Sequence, residues 1–251
     1  MFRVLKDLYV GLKFSFSYFS ILPISFKNDE DLSKNSILKY MMIFFPFVGL
    51  VLSSFIVFIH GFFESSIYLS LMMAIFYMIS YGFIHTEAIA DVVDAIYAKH
   101  SNKDPYKVIK EPTIGAMGLL YTVSFLILKI ASLSYILYEQ LYVEFIIIAI
   151  ISRVMVVLSI KLNDFKSSFV TMLKSSLNNT NIFIVFVSYS LICLFLNSVE
   201  FILLFLLALL ITMYITKRLK STLGFLNGDV LGFNLEINEL LLMIITVLIL
   251  I

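Results

Sequence analysis

Apolar stretches long enough to cross a bilayer alternate along this chain with short polar segments that hold almost all of its charge. At about 20 apolar residues per crossing, seven stretches qualify: residues 40–62, 66–86, 114–137, 141–160, 182–197, 200–216 and 234–251. The fifth and sixth are short. They predict either a tight hairpin around Asn197, Ser198 and Glu200 or a thin membrane region, so a count of six also fits the pattern. The fold class predicted is all-α: a polytopic integral membrane bundle of about seven transmembrane helices forming a single integral membrane domain. Residues 1–39 are its cytoplasmic or interfacial N-terminal segment and residues 40–251 the bundle with its cytoplasmic loops.

Composition removes the soluble alternatives. The 251 residues are 61% hydrophobic and 14% charged, against roughly 45–50% and 25% in soluble domains, and no length remains for a second, soluble domain. With 18 Lys+Arg against 17 Asp+Glu the net charge is +1, so the chain carries neither a nucleic-acid footprint nor an acidic tail. The placement of the charges is more informative. Basic residues number six before the first stretch, four in the loop around 99–110, three around 161–174 and three at 217–220, while the alternate loops hold none. Short cytoplasmic loops concentrate Lys and Arg, so the N-terminus and these loops are predicted on the cytoplasmic side. The two remaining cations, Lys129 and Arg153, fall inside predicted spans.

Smaller features refine this. The apolar stretch after Arg3, Lys6 and Lys13 lacks a small-residue cleavage site, so it reads as a retained interfacial helix. Cys193, the single cysteine, lies in an apolar run and reads as a core residue. Five of the nine glycines (Gly115, Gly118, Gly224, Gly228 and Gly232) sit in or beside two of the basic loops, where close backbone approach or positive φ is needed. His60 and His100 are expected as ordinary surface or interface residues.

Three motifs carry chemistry. In His85 to Asp94 the carboxylates Glu87, Asp91 and Asp94 fall at i, i+4 and i+7 and share one helix face. Like charges near hydrocarbon repel and are costly, so the face calls for a divalent cation such as magnesium, or else it surfaces into water. Residues 110–118, K-E-P-T-I-G-A-M-G, place Lys110, Gly115 and Gly118 at the start of the third stretch; this is either a helix N-terminus suited to an anion or plain turn chemistry. Residues 223–239 carry Gly228, Asp229 and Gly232 in a loop, with Glu236 and Glu239 in the first turns of the last span. Those glutamates serve the same site or simply cap the helix. Intramembrane Lys129 and Arg153 point to carboxylates or a diphosphate as partners, or to a structural ion pair. His85 orders the site, accepts a proton or is merely a helix-end histidine. Taken together the residues predict a polytopic enzyme that handles a diphosphate with a divalent metal at the cytoplasmic interface.

These motifs resemble the cobalamin synthase family, the adenosylcobinamide-GDP ribazoletransferases. The family's G-G-x-H-x-D-G-x-A-D-x-x-D is matched by Gly82, His85, Glu87, Ala90, Asp91 and Asp94. Its K-D-x-R-x-G-x-x-G is matched by Lys110, Ile114, Gly115 and Gly118, and its T-G-D-x-x-G with a later glutamate by Gly228, Asp229, Gly232 and Glu239. Glu87, Ala88, Glu111, Thr113 and Asn227 depart from the pattern, and the loss of a cation at Thr113 is the largest change. The resemblance implies a magnesium-dependent transferase in the inner membrane, with its active site facing the cytoplasm. It would join adenosylcobinamide-GDP to α-ribazole or its 5′-phosphate and release GMP. Glu87, Asp91, Asp94 and Asp229 would be metal ligands. His85, Asp229, Glu239, Lys110, Lys129 and Arg153 would act in catalysis, and Gly115, Gly118, Gly228 and Gly232 in binding. Partners implied are these small molecules and membrane lipid, with room for a homo-oligomer or other cobalamin-assembly enzymes, and no nucleic acid. A CDP-alcohol phosphotransferase is the nearest alternative, but Asp91, not Arg, follows Ala90. A transporter is less favoured, since the acids gather at one face and no repeat is visible.

Overall fold

Why the chain folds into helices follows from its solvent: in hydrocarbon every backbone polar group must be satisfied within the segment. The structure, a computed structural model, describes residues 2–250, with side chains for all of these except residues 2, 198–200 and 250. Among the described residues there are eleven helices and no strand: α1 (Phe2–Phe19), α2 (Asn35–His60), α3 (Ile67–Ser80), α4 (Glu87–His100), α5 (Pro105–Val108), α6 (Ala116–Tyr138), α7 (Tyr142–Leu162), α8 (Ser168–Ser176), α9 (Asn179–Leu196), α10 (Ser198–Leu223) and α11 (Gly228–Leu250). Six of them, α2, α6, α7, α9, α10 and α11, are long and apolar enough to cross a membrane. This is a multi-pass membrane protein of the all-α class.

The count of seven needs correction at the second stretch. Residues 66–86 do not form one spanning helix: α3 has 14 residues and is about 21 Å long, short of a hydrocarbon core of about 30 Å. The chain breaks at 81–86, where Gly82 (φ 66°) and Phe83 (φ 54°) adopt left-handed conformations, and then resumes as α4. Hydropathy continues through Y-G-F-I, which is why the pattern hides the break. The short connection expected near Asn197 is present, since only this residue separates α9 from α10; the side chains of Ser198 and Glu200 lie outside the described residues.

Helix α7 is the central post. Its flanks are buried along most of its length, and it packs against α2, α9, α10 and α11. Helix α11 in turn lies against α4, α6, α7 and α10. Glycine permits the close crossing of α2 and α7: a Cβ on Gly49 of α2 would stand 2.5 Å from the Ala149 carbonyl oxygen and 2.7 Å from Arg153 Cδ. The N-terminal helix packs on α2 and is held by the ion pairs Lys34–Asp7 and Lys13–Glu30. Cys193 is fully buried, as its setting suggested. His100 is exposed. His60 is not a surface residue: it is buried at the end of α2, its ring nitrogens 2.9 Å from the Tyr142 and Ser70 hydroxyls.

Replacing Gly49 by valine forces α2 and α7 apart and is expected to cost at least about 1–3 kcal/mol. The thermal unfolding midpoint of detergent-purified protein checks this, and an unchanged midpoint would show that the crossing is not close-packed.

Candidate active site

The α4 face forms as its spacing predicts, but its three carboxylates divide in use. Asp94 turns toward the start of α6, where it accepts hydrogen bonds from the backbone N–H of Gly115 (2.6 Å) and Gly118 (2.8 Å). A Cβ on either glycine would collide with that carboxylate. At this helix N-terminus, read from the sequence as either an anion site or plain turn chemistry, two of the N–H groups are therefore engaged by the chain's own aspartate. Glu87, exposed at the head of α4, and half-buried Asp91 have no Lys, Arg or His partner among the described residues. Burial pushes the Asp91 carboxyl up to about 6, and the negative charges of Asp229, Glu87 and Asp94 push the same way. Among the described residues no three His, Cys, Asp or Glu side chains are gathered as a ready metal-binding set.

Asp229 arrives from α11, which starts earlier than the sequence suggests. Asn227 caps it, accepting from the Val230 N–H at 3.1 Å while its amide donates to Asp229 at 2.6 Å. Asp229 therefore belongs to the first turn rather than to a loop, and Glu236 and Glu239 lie two to three turns inside the helix instead of at its start. This corrects the capping alternative for both glutamates.

Glu236 and Glu239 meet Lys129 of α6 and Arg153 of α7 in a fully buried network. Lys129 Nζ lies 2.5 Å from Glu236 and 2.6 Å from Glu239, and Arg153 Nη1 lies 3.0 Å from Glu239. Hydroxyls complete it: Tyr77 donates to Glu239 and Thr86 to Glu236, each at 3.0 Å, and Lys129 donates to Tyr81 at 3.2 Å. None of these four charged side chains is more than 2% exposed. The structure thus brings Lys129, Arg153 and Glu239 together with one another, and not with the α4 acids.

His85 stands in the break before α4, its ring 5.7 Å from that of Phe19 and 6.0 Å from that of Phe45. Its Nε2 is buried without a hydrogen-bond partner. A small cavity of about 90 Å³ lies here, bounded by Tyr18, Phe45, His85, Phe169, Gly228 and Gly232. Gly232 makes room for the helix crossing, since a Cβ there would lie 3.0 Å from Ala88 Cβ and 3.5 Å from His85 Nδ1. Gly228 also borders a second, larger cavity whose wall includes Asp229 and Lys110. Sequence reasoning missed the aromatic residues of α1 beside His85, because nothing in a polar-headed N-terminal helix signals docking against a distant break.

Comparison with known proteins bears directly on these residues. The model of the cobalamin-5-phosphate synthase family matches residues 11–247. The chain belongs to this family. Its relatives include adenosylcobinamide-GDP ribazoletransferases from Clostridium perfringens (strain SM101), 26% identical over 94% of this chain and 96% of the relative, and Clostridium botulinum (strain Alaska E43), 27% identical with the same coverage. A third, from Caldanaerobacter subterraneus, is 29% identical over 61% of this chain and 62% of the relative. No solved structure gives a significant match. The family match spans α4, the α6 start and most of α11, so every candidate site residue falls within it.

The buried network generates a stability prediction. Lys129→Met leaves two carboxylates facing one guanidinium and is expected to cost about 3–5 kcal/mol. Adding Glu236→Gln restores the charge balance and recovers part of the loss, as thermal unfolding of the two variants in detergent will show. A double variant no more stable than the single one would mean that charge balance does not govern the core.

Proposed function

We propose that the chain is an adenosylcobinamide-GDP ribazoletransferase, a magnesium-dependent member of its family working at the cytoplasmic face of the inner membrane. The observation that carries this is the set of carboxylates without a cationic partner among the described residues, Glu87, Asp91 and Asp229, next to a lysine-bearing cavity, on a chain whose family match runs nearly end to end. In the reaction a ribazole hydroxyl oxygen forms a new bond to the phosphorus that bears the cobinamide. The bridging P–O bond of the diphosphate breaks, GMP departs with that electron pair, and the hydroxyl proton is released.

The residues suit a magnesium ion of the kind held by one or two carboxylates together with substrate phosphates, rather than by an all-protein cage. Asp91 and Asp229 would hold it, with Glu87 at the rim; Asp94 is already engaged at α6. Bound there, the ion supplies neutralisation of charge developing on the diphosphate. Burial, joined by the negative charges of Asp229, Glu87 and Asp94, is the physical reason the Asp91 carboxyl holds its proton above the usual carboxylate range. Lys110, which lines the same cavity as Asp229, neutralises phosphate charge there. His85 offers its unpartnered ring nitrogen to the ribazole hydroxyl from within the aromatic cavity. Lys129, Arg153, Glu236 and Glu239 act as positioning residues that fix α11, and through it Asp229. The excess of Lys and Arg in the loops at this end supports the cytoplasmic orientation.

The test is GMP release and corrinoid product formation by protein in nanodiscs given adenosylcobinamide-GDP and α-ribazole or its phosphate. Product is expected with magnesium and none with chelator. Asp91→Asn should lower turnover at least about 100-fold, a loss of about two to three powers of ten for one charge-stabilising contact being ordinary, while eluting as the unaltered protein does. Magnesium alone should raise the unfolding midpoint of the unaltered protein and leave that of Asp91→Asn unmoved. Turnover undiminished by chelator would remove the metal assignment, and turnover of a CDP-linked lipid instead would remove the substrate.

A further inference from the structure

The larger cavity, about 660 Å³, opens beside Asp229 and is walled by Tyr106, Lys110, Lys166, Ser167, Thr171 and Asp229. Its size lies within the range of small-molecule sites. What distinguishes it is how its cations are held. Lys166 Nζ sits 3.5 Å and Lys110 Nζ 4.2 Å from the centroid of the same Tyr106 ring. That ring is itself fixed edge-on against Phe225 at 5.0 Å. Each ammonium gains from the ring's negative face, but two like charges gathered at one ring repel, and neither has a carboxylate partner among the described residues. Asp229 lines the same cavity without pairing with either lysine.

The cavity is also assembled from distant segments. The backbone N–H of Lys166 donates to the Leu226 carbonyl at 2.7 Å, which joins the α7–α8 connection to the turn before α11. Lys110 comes from the connection between α5 and α6. Two exposed, unneutralised lysines and one half-buried, unneutralised carboxylate, brought to one hollow by two loops and the first turn of α11, fit a ligand that carries several negative charges and shares a divalent cation with the carboxylate. A diphosphate is such a ligand. Because the ammonium groups occupy the face of Tyr106, the ring holds cations and does not stack a base.

We infer that this cavity binds the diphosphate of the nucleotide-linked substrate, and afterwards the phosphate of the released GMP, with Lys166 and Lys110 gripping the phosphates and Tyr106 holding the two lysines in place. This rests on the transferase reading above and adds to it the place of the leaving group and the role of Lys166. The attacking ribazole then approaches from the neighbouring aromatic cavity, because Gly228 borders each of the two. Recognition there is of phosphate, so pyrophosphate and GMP are held by the same lysines.

The experiment measures binding of magnesium pyrophosphate and of GMP by calorimetry, with protein in phosphatidylcholine nanodiscs and no turnover required. Lys166→Gln is expected to weaken each ligand about tenfold, the value of one charge-assisted hydrogen bond, whereas Lys99→Gln, an exposed charge on α4, leaves binding unchanged. In the full reaction Lys166→Gln should raise KM for adenosylcobinamide-GDP and leave KM for ribazole unaltered. Should Lys166→Gln bind pyrophosphate as the unaltered protein does, the inference is overturned. It is overturned equally if phosphatidylglycerol in the disc displaces pyrophosphate in a Lys166-dependent way, for the lysines would then serve lipid headgroups. Lysine-dependent pyrophosphate binding without any turnover would leave the cavity standing and remove the transferase reading; turnover with an unchanged donor KM in Lys166→Gln would do the reverse.

Discussion

Two cations and two carboxylates, placed where neither water nor lipid can screen them, dictate how this bundle closes. Removing an ion from water costs several kcal/mol, and only close geometry with further hydrogen bonds repays it. Lys129, Arg153, Glu236 and Glu239 meet that demand because three helices and the hydroxyls of Tyr77, Tyr81 and Thr86 converge on them. The consequence for α11 is a fixed rotation. Asp229, Gly232, Glu236 and Glu239 fall at i, i+3, i+7 and i+10 and share one face of that helix. Locking the two glutamates in the core therefore aims Asp229 at the rim and presses Gly232 against Ala88. A second face is fixed as well, where Asn234 and Asn238 donate to the hydroxyls of Thr216 and Thr212 on α10.

The break between α3 and α4 follows from the same network. Tyr77, Tyr81 and Thr86 must all reach the buried charges, and an unbroken helix would carry Thr86 around its axis and away from Glu236. The chain instead turns through Gly82 and Phe83, with the exposed backbone groups satisfied locally: the Gly82 N–H donates to Ile79 at 2.8 Å and the Thr86 N–H to Phe83 at 2.9 Å. Non-helical backbone at depth is tolerated where protein surrounds it. It also frees α4 to take its own direction, so that Asp91 comes near Asp229 while Asp94 reaches the start of α6.

Much of this was legible in the sequence, and the failures share a cause. Hydropathy located six spanning helices, and the rarity of intramembrane charge singled out Lys129 and Arg153. Spacing put Glu87, Asp91 and Asp94 on one face. What spacing does not reveal is the partner each carboxylate takes. A helix N-terminus and a metal ion satisfy Asp94 equally well, and only the approach of Gly115 and Gly118 decides between them. The same holds for Glu236 and Glu239. Residues 228–233, rich in glycine and carrying an aspartate, read as a loop, so the glutamates seemed to begin a helix when they lie well inside one. Tyr106 and Lys166 were invisible because an aromatic residue in one loop and a lysine in another carry no mutual periodicity.

The distribution of paired and unpaired charge separates structure from chemistry here. In the depth of the bundle, each charged side chain has an opposite charge within about 3 Å, which is what a low dielectric requires. At the rim the rule is broken in a particular way. Asp229 faces the same hollow as Lys110 and Lys166, yet it pairs with neither, and Asp91 beside it has no cation at all. Flexible lysines would be drawn to nearby carboxylates if nothing restrained them. Tyr106 supplies the restraint, holding the ammonium groups on its ring. Opposite charges held apart across a cavity leave room for a ligand that is anionic toward the lysines and bound to a cation toward the carboxylates, and a diphosphate carrying magnesium has that double character.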